Sequence, residues 1–486
     1  MKEICIARYC LVFMMALGLG ACSEAGVPVS PNRDISQEEL VGGTKSTAPT
    51  PEASGDSDIL FNEAVFADHA WDLDYVGRGL GSVGNGAASN PSISSEGRYV
   101  VFESASANLV AGDTNRSIDI FVADLLDNSI TRVSVNSNGV EGDANSTHPR
   151  ISGDGKHIVF SSAASNLIEN DLNDTLDIFL HQITTGKTIL ISSSSEGEQA
   201  SVGSNYPAVS SNGEYVVFES QADNLVPDDE NTAYDVFLKN VNTGTIRRLS
   251  LGGEGNEIAS VDTVNQDSGR PVISANGLSV LFHSFSPYLV SDDNNTVADI
   301  FLFDMRSGVI SRISEADGQG GNGESLQPSI SPNGRYVSFQ SAASNLAVGL
   351  TNGELQIYRH DLLENETKLV SVNGRGFTGD SASVAASVSD LGAVAFMSLA
   401  GNLTLDDSAG QFRVYLSAAD NRSIRRLDIP LFDGVDGSSF SPSISADGNA
   451  VAFSSESGKL IAGGVSASSD IFIAVTNATD NEHETR

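Results

Sequence analysis

The chain has 486 residues, 40% of them hydrophobic, and sets 63 Asp and Glu against 27 Lys and Arg, a formal net charge of -36. A surface this acidic repels nucleic acid and anionic lipid headgroups, which argues against either as a direct partner, while it attracts cations and basic partners. Length alone would allow about three average domains, but a long internal repeat overrides that reading.

The first elements are addresses. Lys2 and Arg8 precede an apolar run from Tyr9 to Leu19, too short to span a bilayer comfortably. The run ends in Leu19-Gly20-Ala21-Cys22, which resembles the cleavage box of bacterial lipoproteins. That resemblance implies a signal peptide over 1–21 and a diacylglyceryl group on Cys22. Ser23 after the cysteine, rather than Asp, implies the outer membrane. The only cysteines are Cys5, Cys10 and Cys22, so the mature chain keeps one and forms no internal disulfide. Residues 22–58, rich in Ser, Thr, Pro, Gly and Glu, read as a disordered tether of about 30–35 Å root-mean-square span. The more apolar stretch 59–71 is a candidate docking segment.

From residue 72 to 478 one unit of roughly 58 residues recurs seven times. Its copies start at Pro91, Pro149, Pro207, Pro271, Pro328, Ala386 and Pro442. In the first copy, Ser92–Ser94 and Arg98–Phe102 are expected strands joined at Glu96-Gly97. Asp119–Ala123 and Ile130–Ser134 are the third and fourth. Later copies turn at Asp154-Gly155, Asn212-Gly213, Asn276-Gly277, Asn333-Gly334 and Asp447-Gly448, which suit the positive φ of a tight hairpin. Phe102, Phe160, Phe218, Phe282, Phe339, Phe396 and Phe453 recur on the second strand. Phe121, Phe179, Phe237, Phe301, Tyr358, Tyr415 and Phe472 recur on the third. Aromatics repeated in register are core for sheets that stack around an axis.

The seventh unit ends after its third strand, Asp470–Ala474, and residues 479–486 read as a disordered tail. Ahead of the first unit, DLDYVGRGLGSVGNGAAS resembles a spare fourth-strand stretch. Pairing the two ends removes the exposed sheet edges. The fold expected is therefore all-β: a seven-bladed β-propeller of four-stranded blades, its ring closed by an N-terminal strand near Tyr75–Gly79 lying beside Ile471–Ala474.

The elements P-x-[IV]-S, the strand ending in V-F, and D-[IV]-F resemble the TolB-like propeller repeat, a bacterial cousin of WD-type repeats, over residues 90–475. TolB itself has six blades and a folded N-terminal domain, so the resemblance implies the repeat fold and not a place beside the Tol–Pal system.

Four copies share D-x-N-x-x-x-D between the second and third strands: Asp113, Asn115, Asp119; Asp171, Asn173, Asp177; Asp229, Asn231, Asp235; and Asp293, Asn295, Asp299. Alternating oxygens suit Ca²⁺, but no EF-hand spacing or bidentate Glu follows. Asx turns that start the third strand are the preferred reading. These loops share one face with the glycine-rich connectors between blades, which makes that face the expected binding surface.

Catalytic signatures are thin. The seven His share no repeat position, no GxSxG elbow occurs, and the one Trp, Trp71, stands outside every repeat. The expected role is a non-enzymatic envelope lipoprotein, a monomer that needs no cofactor. Its propeller would bind an envelope protein, peptide or glycan, and it would touch the membrane only through its lipid. The alternative is a propeller glycosidase or lyase with an axial carboxylate site. A channel lined by Ser, Ala and Gly would favour the binder; Asp, Glu, Arg, His or Tyr converging at its mouth would favour the enzyme.

Overall fold

The computed structural model describes residues 71–79, 82–227, 229, 231–252, 266–316, 318–347, 352–405, 407, 410–430, 437–460 and 469–476. The expected signal peptide over 1–21, Cys22, the expected tether over 22–58, residues 59–70 and the expected tail over 479–486 lie outside the described residues. The described residues form seven four-stranded antiparallel sheets and two short ribbons. The protein is a seven-bladed propeller. Blade 1 consists of Ala88–Ile93, Tyr99–Ser104, Asp119–Asp124 and Ser129–Arg132, and blades 2 to 6 repeat that plan.

Two boundaries differ from expectation for a local reason. The innermost strand begins at Ala88 instead of Ser92, because a β-bulge shifts the register between Ser89 and Ser92 and hides the alternation. The fourth strand stops at Arg132, because Ser134 leaves the ladder to donate its hydroxyl to Asp119 at 2.6 Å.

No blade has a core of its own. Phe102 and Phe121 of blade 1 pack with Ala450, Ala452, Ile471 and Ile473 of blade 7 in one buried cluster. Within each blade the second- and third-strand aromatics stack, from 5.7 Å (Phe218–Phe237) to 6.1 Å (Phe282–Phe301) between centroids. Such units are stable only as a closed array.

The ring closes as a strand exchange, in a register displaced from the expected one. Trp71–Tyr75 runs antiparallel to the last strand, with Trp71 opposite Thr476 and Tyr75 opposite Phe472. Residues 78–79 instead turn into a two-stranded ribbon with 82–83. The register follows from Tyr75, which takes the place Arg132 holds in blade 1 and donates its hydroxyl to Asp470 at 3.1 Å.

A second ring laces the hairpin face. Each hairpin tip donates a backbone N–H to the next blade: Ser95 to Gly153, Asp154 to Ser211, Ser211 to Ala275, Ala275 to Pro332, Asp390 to Ala446, and Ala446 back to Ser95. Between blades 5 and 6 the acceptor is the Asp390 carboxylate, 2.7 Å from Asn333 N. The tips crowd so closely that a Cβ on Gly153 would lie 2.6 Å from Ser95 Oγ.

Candidate functional site

The inner-strand bulge creates the site. In every blade the residue before the proline position has a left-handed backbone: Asn90, His148, Tyr206, Arg270, Gln327, Ala385 and Ser441, with φ between 48° and 53°. A non-glycine residue rarely adopts this conformation, and the strain is held by the surrounding ladder. The bulge turns these seven side chains toward the axis at the loop face, since each lies just after a connector between blades. The backbone is the same in all seven blades while the side chain differs in each. Packing therefore fixes the conformation and leaves the chemistry free.

A second set stands behind it, one residue after each second-strand aromatic: Glu103, Ser161, Glu219, His283, Gln340, Met397 and Ser454. Three of these side chains, Glu103, Glu219 and Gln340, hold the backbone of the following blade's bulge. Glu103 accepts from His148 N at 2.9 Å and from Asn90 Nδ2 and Ser89 Oγ at 2.8 Å each. Glu219 accepts from Arg270 N at 2.7 Å, and Gln340 from Ala385 N at 3.1 Å.

Polar chemistry concentrates on blades 1 to 4. The Arg270 guanidinium lies 3.6 Å from the centroid of the Tyr206 ring, whose other neighbour is the His148 ring at 4.4 Å and 61°. Arg150, one position past the proline, is the single charged residue there among Ser92, Ala208, Val272, Ser329, Ser387 and Ser443. It is crowded by protein yet open to solvent along the axis, and Arg270 is close enough for the two charges to repel. Burial, reinforced by Arg270, pulls His148 and His283 down to about 3, so both are neutral at pH 7. Their Nδ1 atoms are buried without hydrogen-bond partners. Burial raises Glu219 above the ordinary range.

The channel thus carries both patterns set out above: small residues along the inner strands, and Glu, His, Tyr and Arg converging at one side of its mouth. The sequence reading did not single out this cluster. Its signal is the residue before each proline, the position at which N-P, H-P, Y-P, R-P, Q-P, A-A and S-P all differ.

The acidic boxes lie farther out, at the start of each third strand. In blade 1, Asn115 donates to Asp119 at 2.9 Å and accepts from Ser117 N at 2.8 Å, as an Asx turn does. Arg132 stands among Asp113, Asp119 and Glu141 at 3.4, 3.5 and 2.7 Å. Blade 3 repeats this with Asn231, and with Arg248 at 2.7 Å from Asp229 and 3.2 Å from Asp235. Blade 4 does so with Asn295, Asp299 and Arg312, the last 3.7 Å from Asp293. In these three blades a guanidinium occupies the place among the carboxylates. In blade 2, Leu190 stands opposite Phe179 instead, and among the described residues no arginine acts on Asp171 or Asp177. Among the described residues no group of three or more His, Cys, Asp or Glu is arranged to hold a metal.

The buried acids and histidines pull the pH dependence in opposite directions. Burial raises Asp177, Asp229, Asp299, Asp428 and Asp470 to about 6, so each takes up a proton on folding, and its contribution falls as pH rises from about 4 through 6. His148, His181 and His283, held at about 3 to 4, are protonated more readily when unfolded, so their contribution falls as pH drops below about 6.5. Wild-type stability should change little between pH 7 and 5. Replacing His148 and His283 together by Gln should tilt the balance, making the urea midpoint higher at pH 5 than at pH 7.5. An unchanged pH profile would mean that neither imidazole is held neutral.

No family model matches the sequence, and no curated protein sequence matches it. Solved structures do. An oligogalacturonate lyase from Vibrio parahaemolyticus shares 12% identity, covering 84% of this chain and 97% of that one, at a TM-score of 0.50. An oligogalacturonate lyase in complex with manganese shares 10% over 85% and 95%, also at 0.50. TolB from Acinetobacter baumannii shares 15% over 79% and 81%, at 0.38. The likeness is one of fold. The TolB-like character of the repeats stands on the P-x-[IV]-S, V-F and D-[IV]-F elements of the chain itself.

Proposed function

We propose that this protein is a non-enzymatic, lipid-anchored component of the bacterial envelope whose channel mouth, on the loop face, captures an anionic group of an envelope protein, peptide or glycan. One observation carries the reading: an exposed Arg150 on an inner strand lies within Coulombic reach of Arg270, in a chain with net charge -36. Two guanidiniums brought close cost free energy that a bound carboxylate or phosphate would recover. Glu103 and Glu219 offset part of that repulsion, since each lies within Coulombic reach of one arginine while also accepting the backbone N–H of the next bulge.

Cys22 would carry the lipid and residues 22–58 would hold the propeller clear of the bilayer. The test is a pull-down from envelope extract with the mature propeller and its Arg150→Ala/Arg270→Ala variant. A partner held by the first and lost from the second supports the reading, whereas equal capture sinks it. In cells, Cys22→Ala should move the chain from the membrane fraction into the soluble periplasmic fraction.

A second reading, a lyase or glycosidase, is favoured by the convergence of Glu219, Tyr206, Arg270, His148 and His283, and by the lyases that share the fold. Polyuronate incubated with the protein would gain an unsaturated product if that reading is right.

A further inference from the structure

The blade-2 acidic box differs from its siblings in four linked ways. Leu190 replaces the arginine of blades 1, 3 and 4, and Gln199 stands where blade 1 has Glu141. Asn173 donates to Ala200 O at 3.0 Å and meets its third-strand aspartate only weakly, whereas Asn115, Asn231 and Asn295 bond theirs at 2.9, 3.2 and 2.9 Å. The Asx turn is stretched, with Thr175 N 3.4 Å from Asn173 Oδ1 against 2.8–2.9 Å in the other three. Finally, Asp177 is fully buried and its Oδ2 has no hydrogen-bond partner. In the sibling boxes this same oxygen accepts from the asparagine, and in blades 1 and 3 it also meets the arginine.

Blade 5 supplies the control. It too has leucine at the arginine position, Leu369 opposite Tyr358, but there the aspartate is replaced by Gln356, which is neutral and bonded to Asn352, Gly379 and Ser371. In blade 5 the anion is lost with the internal cation; blade 7 keeps its aspartate, Asp470, with Oδ2 likewise unpartnered, but there the Tyr75 hydroxyl donates in place of the cation. Blade 2 keeps the anion. A buried carboxylate without a counter-charge is strongly destabilising, and Asp171 nearby adds a like charge.

We infer that blade 2 binds a divalent cation of the Ca²⁺ type, which supplies from solution the charge that Arg132, Arg248 and Arg312 supply within the chain. The carboxylates of Asp171 and Asp177 would be its charged ligands, with neutral oxygens such as Asn173 Oδ1 and Thr175 Oγ1 beside them; the latter is also buried and unpartnered. Two carboxylates with neutral oxygens in a loop match the flexible coordination of Ca²⁺ rather than the strict octahedron of Mg²⁺.

The test is thermal unfolding of the mature chain at neutral pH in Ca²⁺, in Mg²⁺, and in NaCl of matched ionic strength. Calcium at about 1 mM should raise the Tm by about 2 °C or more over both controls. Asp177→Asn should abolish that difference. Leu190→Arg with Gln199→Glu rebuilds the blade-1 box and should remove the response while keeping the calcium-free Tm at or above wild type; it serves where Asp177→Asn fails to fold. Equal responses to the three salts, or a calcium response that survives in the rebuilt box, would overturn the assignment. The charge of Asp177 would then be balanced by a proton.

Discussion

Deleting residues 72–80 should lower the Tm sharply and drive the protein toward aggregation. The segment holds four of the five residues that pair with the last strand, so its loss leaves the backbone of Phe472–Thr476 as an open edge on an otherwise closed ring. Tyr75 and Val76, each 6% exposed, contribute about 1.5–3 kcal/mol apiece through burial. Asp470 loses the Tyr75 hydroxyl, the one donor to its Oδ1 among the described residues, while its Oδ2 already has no partner. Together these put the loss at about 3–6 kcal/mol. Because each core cluster is shared between neighbouring blades, the damage should spread to blades 6 and 1 and appear as one cooperative shift. Tyr75→Phe removes the hydroxyl alone and should cost about 1–2 kcal/mol. The hairpin-face ring of backbone bonds, closed by Ala446 N to Ser95 O at 3.0 Å, remains in both variants. A deletion variant that melts where wild type does, and stays soluble, would mean that this ring and the blade 7–blade 1 packing close the propeller without the strand.

The parts of this fold that were legible in the sequence are those where all copies must agree. Aromatics on the second and third strands, Asn-Gly and Asp-Gly turns, and the complementary deficit of strands at the two ends are each dictated by packing or backbone geometry, so they recur or balance. The closing strand was foreseen but displaced, because its register is decided by a single side chain, Tyr75, reaching Asp470. The channel mouth was missed for the opposite reason. Its position is marked by disagreement among the copies, and a β-bulge breaks the alternation that would have pointed Asn90, His148, Tyr206 and Arg270 inward. The acidic boxes were visible as a motif. Their arginines were not, since Arg132 and Arg248 lie 13 residues after the aspartates they meet across a hairpin.

Arg248→Leu in blade 3 should destabilise the protein by about 3–5 kcal/mol, far more than loss of a surface pair. Arg248, Asp229 and Asp235 each have side chains 6% exposed or less, and Arg248 reaches both acids through one nitrogen. Removing the guanidinium leaves two carboxylates facing each other in a nearly dry site, with Asn231 and Ser250 the side chains that donate to Asp235 among the described residues. The sign of the pH effect follows. Burial already raises Asp229 to about 6, and Arg248 is the main influence holding it down. Without the arginine, the folded-state value climbs farther above the unfolded one. The added loss is therefore small near pH 4, where the folded-state carboxyl is protonated with or without the arginine, and grows as pH rises through 6. Urea midpoints of the variant should consequently fall more steeply between pH 5 and pH 7.5 than those of wild type. Adding Asp235→Gln to Arg248→Leu recreates the neutral pairing of Gln356 with Leu369 in blade 5 and should recover much of the loss. If Arg248→Leu costs less than about 1 kcal/mol at pH 7.5, buried carboxylates in these boxes are tolerated without a counter-charge. The physical case for a cation in blade 2 would weaken with it.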